Sequence, residues 1–407
     1  MRVLFLLAFA LPALAQDLKD LAAEALRNNP EILAAQKRYD AARQRPRQES
    51  SLPDPTLSLG YNSTGNPLPG AGLGSEVTSN IGFSVTQEFP YPGKLRLRGQ
   101  ISSKEADAEM EQYRAVERDV LFRLAQAFHR LHHSYAATEV LDRNHALLET
   151  LLRTIEARYS VGKGSQEEAF KTQTQLTILE TQRVQVDRDR HARTAEINSI
   201  LNRPVGTPVL QPPESHVHAI AMSLEELQAR ARDSAPELRR DQKLLERSEL
   251  ALNLARKDSY PDYAFTGGYF NMGGMPAMYQ FRADIKVPLQ FGRRRAEVSE
   301  QWQNTAAARH EYSAATQSLS YRIEDAYLTA QTAYKLMSLY LETAIPQAHL
   351  ALESSLIGYQ NGKTEFSSVF MNQIAVTEYE MAYHEQMLSY DLAVSQLEQL
   401  TGLTLHE

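Results

Sequence analysis

The amino-acid sequence predicts an α+β fold in which short β-strands alternate with very long helices. Four segments alternate apolar and polar residues, which is the period-two pattern of a strand with two different faces. Two much longer stretches have helical periodicity, with apolar residues at the spacings of a coiled-coil seam. The same order of elements occurs twice, about two hundred residues apart, which indicates a tandem duplication.

The sequence divides into four parts. Arg2 precedes an apolar run, and Ala13-Leu14-Ala15 has the small-x-small pattern of a signal cleavage site, so residues 1–15 are predicted to be a secretory signal peptide. The first repeat is expected at residues 16–203 and the second at 222–407, with a proline-rich connector at 204–221 between them. Matching phrases mark the repeats: Pro53-Asp54 with Pro261-Asp262, and Tyr159-x-x-Gly162-Lys163 with Tyr359-x-x-Gly362-Lys363.

Composition removes several classes of site and partner. The sequence has no cysteine, which excludes disulfides, thiolate metal ligands and the cysteine that N-terminal lipidation requires. No stretch after the signal has the eighteen or more apolar residues of a membrane-spanning helix. The net charge of -7 argues against nucleic acid and leaves a membrane surface or cationic cargo open.

Within each repeat the predicted elements follow one order. A helix of moderate length is expected first, at residues 18–45 and 224–257. Strands are then predicted at 56–63, 79–89, 263–270 and 279–289, and long helices at 94–157 and 293–358. Each long helix reverses at a glycine-bearing turn into a shorter return helix. Pro346 lies inside the second long helix and is expected to kink it.

The fourth strand carries the clearest functional signal. Phe281, Ala283 and Ile285 alternate with Arg282, Asp284 and Lys286. In a bilayer an open sheet edge leaves backbone groups unpaired, so a sheet must close there, and four strands are too few to close. Several copies of the chain are therefore expected to form one barrel, with the three charged residues lining a wet lumen.

A proline-glycine joint follows each pair of strands. Pro90, Pro92 and Gly93 stand in the first copy, and Pro288 and Gly292 in the second. Proline lacks the N–H that continues a ladder, and glycine adopts torsions that other residues resist, so each joint is predicted to end a strand and begin a helix. The alternative is an ordinary linker, which its occurrence in both copies disfavours.

These features resemble the TolC family of outer membrane efflux proteins, in particular its heavy-metal and tripartite-pump branch. The phrase QEFPYPGK at residues 87–94 is similar to one common in that branch. Arg158-Tyr-x-x-Gly162-x-x-Ser165 resembles the first helical tip of the family, and Gly358-Tyr-x-x-Gly362-Lys-x-x-Phe366 resembles the second. Where the family usually has an aspartate before that phenylalanine, this sequence has Glu365.

The resemblance implies a homotrimer in the outer membrane of a Gram-negative bacterium. Four strands from each protomer would close a twelve-stranded barrel, continued by a long α-helical coiled-coil tunnel through the periplasm. The glycine turns would form a periplasmic mouth, closed at rest and opened by a periplasmic adaptor protein coupled to an inner membrane efflux pump. Without a cysteine the channel is expected to be non-lipidated and held by its barrel in outer membrane lipid.

The expected function is that of a passive duct, without enzymatic activity or a cofactor. Heavy-metal cations are the favoured cargo, with drugs or other toxicants as the second choice. The alternative hypothesis is a periplasmic coiled-coil adaptor or structural spacer protein.

The helical tips are the predicted adaptor-docking site. Its candidate residues are Arg158, Tyr159, Val161, Gly162, Lys163, Ser165, Tyr359, Gly362 and Lys363. The alternative is that the glycines only close helical hairpins. Glu365 either contributes to a ring of carboxylates at the pore constriction or stabilises the N-terminus of a helix, and the sequence leaves both open.

Two further clusters are candidates for metal ligands. Met272, Met275 and Met278 are expected in the loop between the third and fourth strands, where thioethers could bind Cu(I), although a chance cluster is favoured. His129, His132 and His133 include an i, i+4 pair that could hold zinc, although a solvated helix face is favoured. Neither is accompanied by a recognisable catalytic motif.

Overall fold

The computed structural model describes residues 17–64, 67–213 and 217–405. The expected signal peptide and residues 214–216 of the connector lie outside the described residues. The chain separates into two compact units. The strand-bearing unit comprises Ala35–Tyr113 and Pro236–Thr316. The tip-bearing unit comprises Arg114–Ala235 and Gln317–Glu407 together with the chain up to Ala34.

Helices account for most of the described residues. They are α1 (Leu18–Asn28), α2 (Pro30–Ala42), α3 (Arg45–Glu49), α4 (Lys94–Ser160), α5 (Gln166–Ile200), α6 (Leu224–Ser234), α7 (Pro236–Lys257), α8 (Phe291–Leu339), α9 (Ile345–Gln360) and α10 (Phe366–Thr401). The division between the two units falls within α2, α4 and α8. None of the described helices is both long and apolar enough to span a lipid bilayer.

The prediction of one continuous helix at the start of each repeat was wrong. The first breaks between α1 and α2 at Asn29, and the second between α6 and α7 at Ala235. Both residues precede a proline, which disfavours the helical conformation of its predecessor, and both have extended backbone torsions. The Asn29 side chain accepts hydrogen bonds from the N–H of Glu31 at 2.9 Å and of Ile32 at 3.2 Å, which caps α2.

The second long helix is interrupted near Pro346, where a kink was predicted. A π-helical turn at Tyr340–Ala344 separates α8 from α9, and Pro346 lies in the first turn of α9. Proline cannot donate the backbone hydrogen bond that an uninterrupted α-helix requires, and the π-turn lies directly before it in the chain. The other long helix, α4, continues without interruption from Lys94 to Ser160.

The strands form one antiparallel sheet in the order β1 (Thr56–Asn62), β2 (Asn80–Phe89), β3 (Asp262–Met272) and β4 (Met275–Lys286). β3 and β4 are joined by Gly273 and Gly274, a two-residue hairpin in which Gly273 has a positive φ of 73°. The hairpin is tighter and β4 ends earlier than predicted. Among the described residues β1 and β4 are the edges of the sheet, each with one neighbour.

The cores of the tip-bearing unit lie where its long helices pack together. One buried cluster contains Leu148 and Ile155 of α4, Leu179 of α5 and Phe366 of α10. A second cluster packs Met337 and neighbouring alanines of α8 against α10. Apolar side chains also remain exposed on these helices, among them Phe170 on α5, Tyr321 on α8 and Leu350 on α9.

Candidate functional site

The four-stranded sheet has one apolar face and one polar face. Strand pairing places Leu59 of β1 opposite Phe83, Phe83 opposite Tyr269, and Tyr269 opposite Tyr279. Side chains of directly paired residues lie on the same face, so alternate residues of all four strands build one apolar surface. Its side chains are exposed in the single chain, and Phe281 on β4 is 79% exposed. An exposed apolar surface that extends over four strands is unusual for a soluble protein, and it indicates contact with lipid or with another protein.

Aromatic contacts connect the strands across the apolar face. Phe265 on β3 packs edge-on against Phe89 with ring centroids 5.8 Å apart, and it stacks with Phe281 at 6.2 Å. Tyr269 packs against Tyr279 at 5.6 Å. These pairs stabilise the sheet on its exposed face. Among the described residues, no helix or strand covers the rings on this face.

The opposite face is polar and carries the residues predicted to line a lumen. Arg282, Asp284 and Lys286 lie there, and the Arg282 guanidinium is 2.9 Å from the Asp284 carboxylate. On the same face the hydroxyls of Thr86 and Thr266 are hydrogen-bonded at 2.8 Å. The charged and apolar residues therefore lie on two different faces, as predicted. The lumen itself stays a prediction, because it requires a closed sheet and β1 and β4 are open edges here.

The joint between β2 and α4 is built around a buried lysine that sequence analysis did not single out. The Lys94 ammonium lies 2.9 Å from the Asp262 carboxylate and 3.3 Å from that of Asp258, and it donates to the Tyr260 carbonyl at 3.1 Å. The Asp262 carboxylate also accepts a hydrogen bond from the Tyr91 N–H at 2.7 Å. The signal was present in the sequence: Lys94 closes the QEFPYPGK phrase, and Asp262 belongs to the repeated Pro-Asp.

The two joints differ in their use of glycine. Gly93 has a φ of 93°, a torsion that favours glycine. A Cβ there would meet the Lys257 ammonium at 2.6 Å, which is the end of a flexible side chain and can shift. Gly292 lies in the first turn of α8, and its φ is not positive. The prediction that Gly292 adopts a special torsion was therefore wrong. Pro90, Pro92 and Pro288 each lie after the last residue of a strand, as predicted.

The two glycine turns have the same backbone geometry. In the first, the Lys163 N–H donates to the Arg158 carbonyl at 2.9 Å and Gly162 has a φ of 74°. In the second, the Lys363 N–H donates to the Gly358 carbonyl at 2.8 Å and Gly362 has a φ of 72°. This is a Schellman-type helix ending, in which the left-handed glycine satisfies carbonyls of the last helical turn.

Three side chains link the two turns to each other. The Arg158 guanidinium donates to the Tyr359 carbonyl at 2.7 Å and lies over the Tyr359 ring, 4.4 Å from its centroid. The Tyr359 hydroxyl in turn donates to the Glu168 carboxylate at 2.7 Å, at the start of α5. Burial and the neighbouring Glu168 carboxylate raise the pKa of Tyr359 to about 12, so the phenol keeps its proton at neutral pH. We call this set the tip link; Glu168 was not identified from the sequence.

The predicted docking residues do not form one uniform surface. Tyr159 is 54% exposed and Val161 is 66% exposed, and Gly162, Lys163, Ser165, Gly362 and Lys363 are also exposed. Tyr359, which has the same place as Tyr159 in the matching phrase Tyr-x-x-Gly-Lys, is only 2% exposed. Because its side chain is buried, Tyr359 contributes to the tip link and cannot contact a docking partner directly. Ser165 also caps α5, since its hydroxyl accepts from the Glu168 N–H at 3.3 Å.

Glu365 occupies the N-cap position of α10 and is exposed. Its carboxylate accepts a hydrogen bond from the Ser367 hydroxyl at 3.3 Å and makes no capping bond to the helix backbone. A carboxylate at this position interacts favourably with the helix dipole. The same exposure leaves it available to a pore constriction, so both sequence-based interpretations stand.

A buried polar network lies further along the helices from the tips. The Asn144 side chain on α4 donates to Glu380 on α10 at 3.0 Å and accepts from Gln373 at 2.8 Å. His349 on α9 hydrogen-bonds the other oxygen of Glu380 at 3.1 Å. The network satisfies polar groups that would otherwise be costly to bury and fixes the register of three helices.

The expectation of a solvated face for the histidine cluster was wrong. His129 is buried with its Nδ1 3.3 Å from the Asp391 carboxylate. Burial lowers the pKa of His133, and burial together with His133 and His132 lowers the pKa of His384 to about 4. Among the residues that the structure describes, no three His, Asp or Glu side chains are arranged to hold a metal ion.

The methionine cluster also differs from its prediction. Met272 ends β3 and pairs with Met275 at the start of β4, and Met278 pairs with Phe270. The three residues therefore belong to the paired strands at the hairpin end and not to a flexible loop. The glycines at 273 and 274 are the whole connection.

A known protein family matches most of this chain. The family model described as outer membrane efflux protein matches residues 21–203 and 227–403. No curated protein matched the chain.

Three solved structures share the fold at low sequence identity. The outer-membrane channel OprN superposes with a TM-score of 0.82 at 14% identity, covering 96% of this chain and 91% of that chain. VceC, an outer membrane protein of Vibrio cholerae, has a TM-score of 0.80 at 15% identity over 95% and 96% of the two chains. CusC has a TM-score of 0.82 at 14% identity over 95% and 92%. At these identities the likeness shows the fold alone.

Proposed function

This chain belongs to the outer membrane efflux protein family, and from that premise we propose that it is the outer membrane channel of a tripartite efflux system. The observation that carries the proposal is the sheet with one exposed apolar face, one polar face and two open edges. Such a sheet is stable in a bilayer only when its edges are paired and its apolar face meets lipid.

Three copies would supply the missing strand partners. Four strands from each protomer give a twelve-stranded barrel, whose apolar face contacts outer membrane lipid and whose polar face lines the lumen. The latter would place Arg282, Asp284 and Lys286 in water inside the barrel. Transport through this duct involves no chemistry, and its energy comes from the partner pump.

The helices are proposed to extend the barrel as a periplasmic coiled-coil tunnel that ends at the glycine turns. The exposed residues of the turns, including Val161, Lys163 and Lys363, would dock to the hairpins of a periplasmic adaptor protein. The tip link would hold the mouth in its resting, closed arrangement, because Arg158 and Tyr359 tie the two turns of one protomer together. Adaptor binding would then open the mouth by separating them.

Heavy-metal cations are the proposed cargo, with drugs and other toxicants as the second choice. Exposed Glu365 at the mouth supports cations, because a ring of carboxylates attracts them. Growth of a deletion strain on graded silver, copper or zinc salts and on a panel of antibiotics tests this choice. Selective metal sensitivity, reversed by the intact gene, is expected.

The channel is tested by placing one charge on each face of β4. Phe281→Arg puts a cation on the apolar face, where the cost in a bilayer is about 2–4 kcal/mol near the midplane. Gln280→Arg, the matched control, adds the same charge to the polar face. Membrane fractionation and planar-bilayer conductance should show loss of insertion for the first variant and retention for the second.

The same pair of variants separates the channel from a periplasmic adaptor or spacer. A spacer has no need of lipid, so both variants would remain soluble and folded, and the wild type would not conduct. That result would reject the channel.

A further inference from the structure

A basic groove lies next to the sheet, between the last turns of α7 and the first turns of α8. Its volume is about 470 Å³, which is within the range of small-molecule binding sites. Three arginines line it, one from the end of α7 and two from the start of α8: Arg256, Arg294 and Arg295. The hydroxyls of Ser259 and Ser299 add hydrogen-bond donors, and no carboxylate of the described residues lines the groove.

The positive charge of the basic groove is only partly neutralised. The Arg294 guanidinium lies 2.9 Å from the Glu297 carboxylate on the same helix. Arg256 and Arg295 are exposed, and neither forms an ion pair within the described part of the chain. Because the whole chain has a net charge of -7, this excess of arginine is not a general property of its surface. A planar guanidinium can bind a phosphate group through two hydrogen bonds, so the groove suits that group.

The end of the basic groove nearest the sheet is apolar. The apolar alternation of β4 continues past its last residue, Lys286, as Val287, Leu289 and Phe291, which are all exposed. Phe291 begins α8 and lines the groove. The apolar surface that is proposed to meet hydrocarbon therefore leads directly to the arginines. An acyl chain followed by a phosphate presents the same order of chemistry, apolar and then anionic.

Trp302 lines the other end of the basic groove. It lies about 16 Å along α8 from Phe291, at 1.5 Å per residue, and it is 55% exposed. An indole has an apolar ring and one N–H donor, which suits the region between hydrocarbon and water. Trp302 is also the single tryptophan of the sequence, so the groove carries its own spectroscopic probe.

We propose that the basic groove binds the phosphate headgroup of an anionic phospholipid in the periplasmic leaflet of the outer membrane. The inference rests on the proposed channel, which places the sheet in the bilayer and the helices in the periplasm, so that the groove lies at their boundary. Arg256 and Arg295 bind the phosphate oxygens, and Phe291 packs against the acyl chains. An anionic lipid fits better than a zwitterionic one, because no carboxylate lines the groove to pair with a headgroup cation.

The fluorescence of Trp302 tests lipid binding directly, since no other tryptophan contributes to the signal. Phosphatidylglycerol in mixed micelles is titrated into the detergent-purified protein and compared with phosphatidylcholine that has the same acyl chains. The emission should change saturably with phosphatidylglycerol, and about tenfold more phosphatidylcholine should be needed for the same change. Equal responses to the two lipids would overturn the anionic headgroup.

Substitution of single arginines tests whether the site is defined. Arg256→Gln and Arg295→Gln should each raise the phosphatidylglycerol concentration at half-change by about fivefold, because each removes one charged donor to the phosphate. Arg293→Gln is the matched control, because Arg293 is an exposed arginine of the same helical turn that does not line the groove. Equal effects of all three changes would indicate diffuse attraction to a basic surface and would overturn the groove as a site.

Two further measurements distinguish other occupants of the basic groove. Inorganic phosphate and glycerol phosphate are titrated alone, and a matching response at similar concentrations would show an anion site and reject the lipid. Acrylamide quenching is measured on the lipid-free oligomer, where Trp302 should be accessible. If Trp302 is already shielded, another copy of the chain covers the groove and the inference is wrong.

Planar-bilayer conductance of the same preparation separates this inference from the channel on which it rests. A protein that conducts and whose Trp302 emission does not respond to phosphatidylglycerol would overturn the lipid site and leave the channel standing. A protein that neither inserts nor conducts would reject the proposed channel, and the lipid site with it.

Discussion

The sheet and the helical tips use the same kinds of residue in opposite ways. In the sheet, aromatic side chains such as Tyr279 and Phe281 are exposed, and backbone ladders supply most of the order. At the tips, Tyr359 and Phe366 are buried in a core, and polar side chains connect the two turns. The comparison shows that one chain buries these aromatic side chains at its tips, whereas it leaves those of its sheet exposed and gives β1 and β4 only one neighbouring strand each.

The largest expected effect lies in the tip core. Tyr359→Ala removes a buried ring, the guanidinium contact that the ring makes with Arg158 and the hydrogen bond of its hydroxyl to Glu168, and large-to-small changes of this kind cost about 3–5 kcal/mol. Tyr159→Ala is the matched control, because Tyr159 occupies the equivalent position in the other repeat and is exposed. Thermal unfolding in detergent should show a large loss for the first variant only. Equal losses would mean that the two tyrosines are buried alike.

The next largest effect is expected at the joint below the sheet. Lys94→Met leaves the Asp258 and Asp262 carboxylates without the buried ammonium that holds them, at a cost of about 3 kcal/mol. Unfolding of the purified variant, with Lys37→Met as an exposed-lysine control, measures this. A loss no larger than that of the control would show that the joint does not depend on the ion pair.

The stability of the helical region should depend on pH, because His384 on α10 has a lowered pKa. The pKa of His384 is about 4 in the folded chain, below its ordinary value of 6.5, so the unfolded state binds a proton more readily. Stability is therefore retained above pH 6.5 and lost as pH falls from 6.5 towards 4, by roughly 1–2 kcal/mol at pH 5. His384→Gln should flatten the fall in melting temperature over this range. An unchanged slope would assign the effect to other groups.

The smallest expected effect is on the tip link. Glu168→Gln replaces a charged acceptor of the Tyr359 hydroxyl with a neutral one, and the difference is about 1 kcal/mol. In the proposed channel this weakens the closed mouth, so single-channel recordings should show more frequent opening at nearly unchanged melting temperature. Glu167→Gln is the control, because exposed Glu167 pairs only with Lys171 among the contacts described. Identical gating of both variants would remove the tip link from the mechanism.

Much of the fold could be predicted from local pattern. Strand alternation, long helical seams and the paired glycine turns each appear within a few residues of sequence, so their elements were found with small errors at the ends. The breaks at Asn29 and Ala235 were missed although Pro30 and Pro236 signalled them. The hairpin was placed too loosely because Met272 and Met275 look like loop residues next to two glycines.

The candidate site was less accessible to such reasoning. Tyr159 and Tyr359 occupy matching phrases, and only packing shows that one is exposed and the other buried. The tip link required Glu168, which has no motif of its own, to lie beside a tyrosine 191 residues away. His129 could not be recognised as buried until α10 was seen to place Asp391 against it.

The sequence by itself determined the periodic features of this protein: which residues alternate, where proline and glycine interrupt helices and strands, and which short phrases recur along the chain. These follow from backbone sterics and from the placing of side chains on faces, both of which act over short distances. Only the tertiary structure decided that Tyr359 is buried whereas Tyr159, in the matching phrase, is exposed, and that Lys94 forms a buried ion pair. Burial and ion pairing depend on partners that the fold brings together from distant parts of the chain.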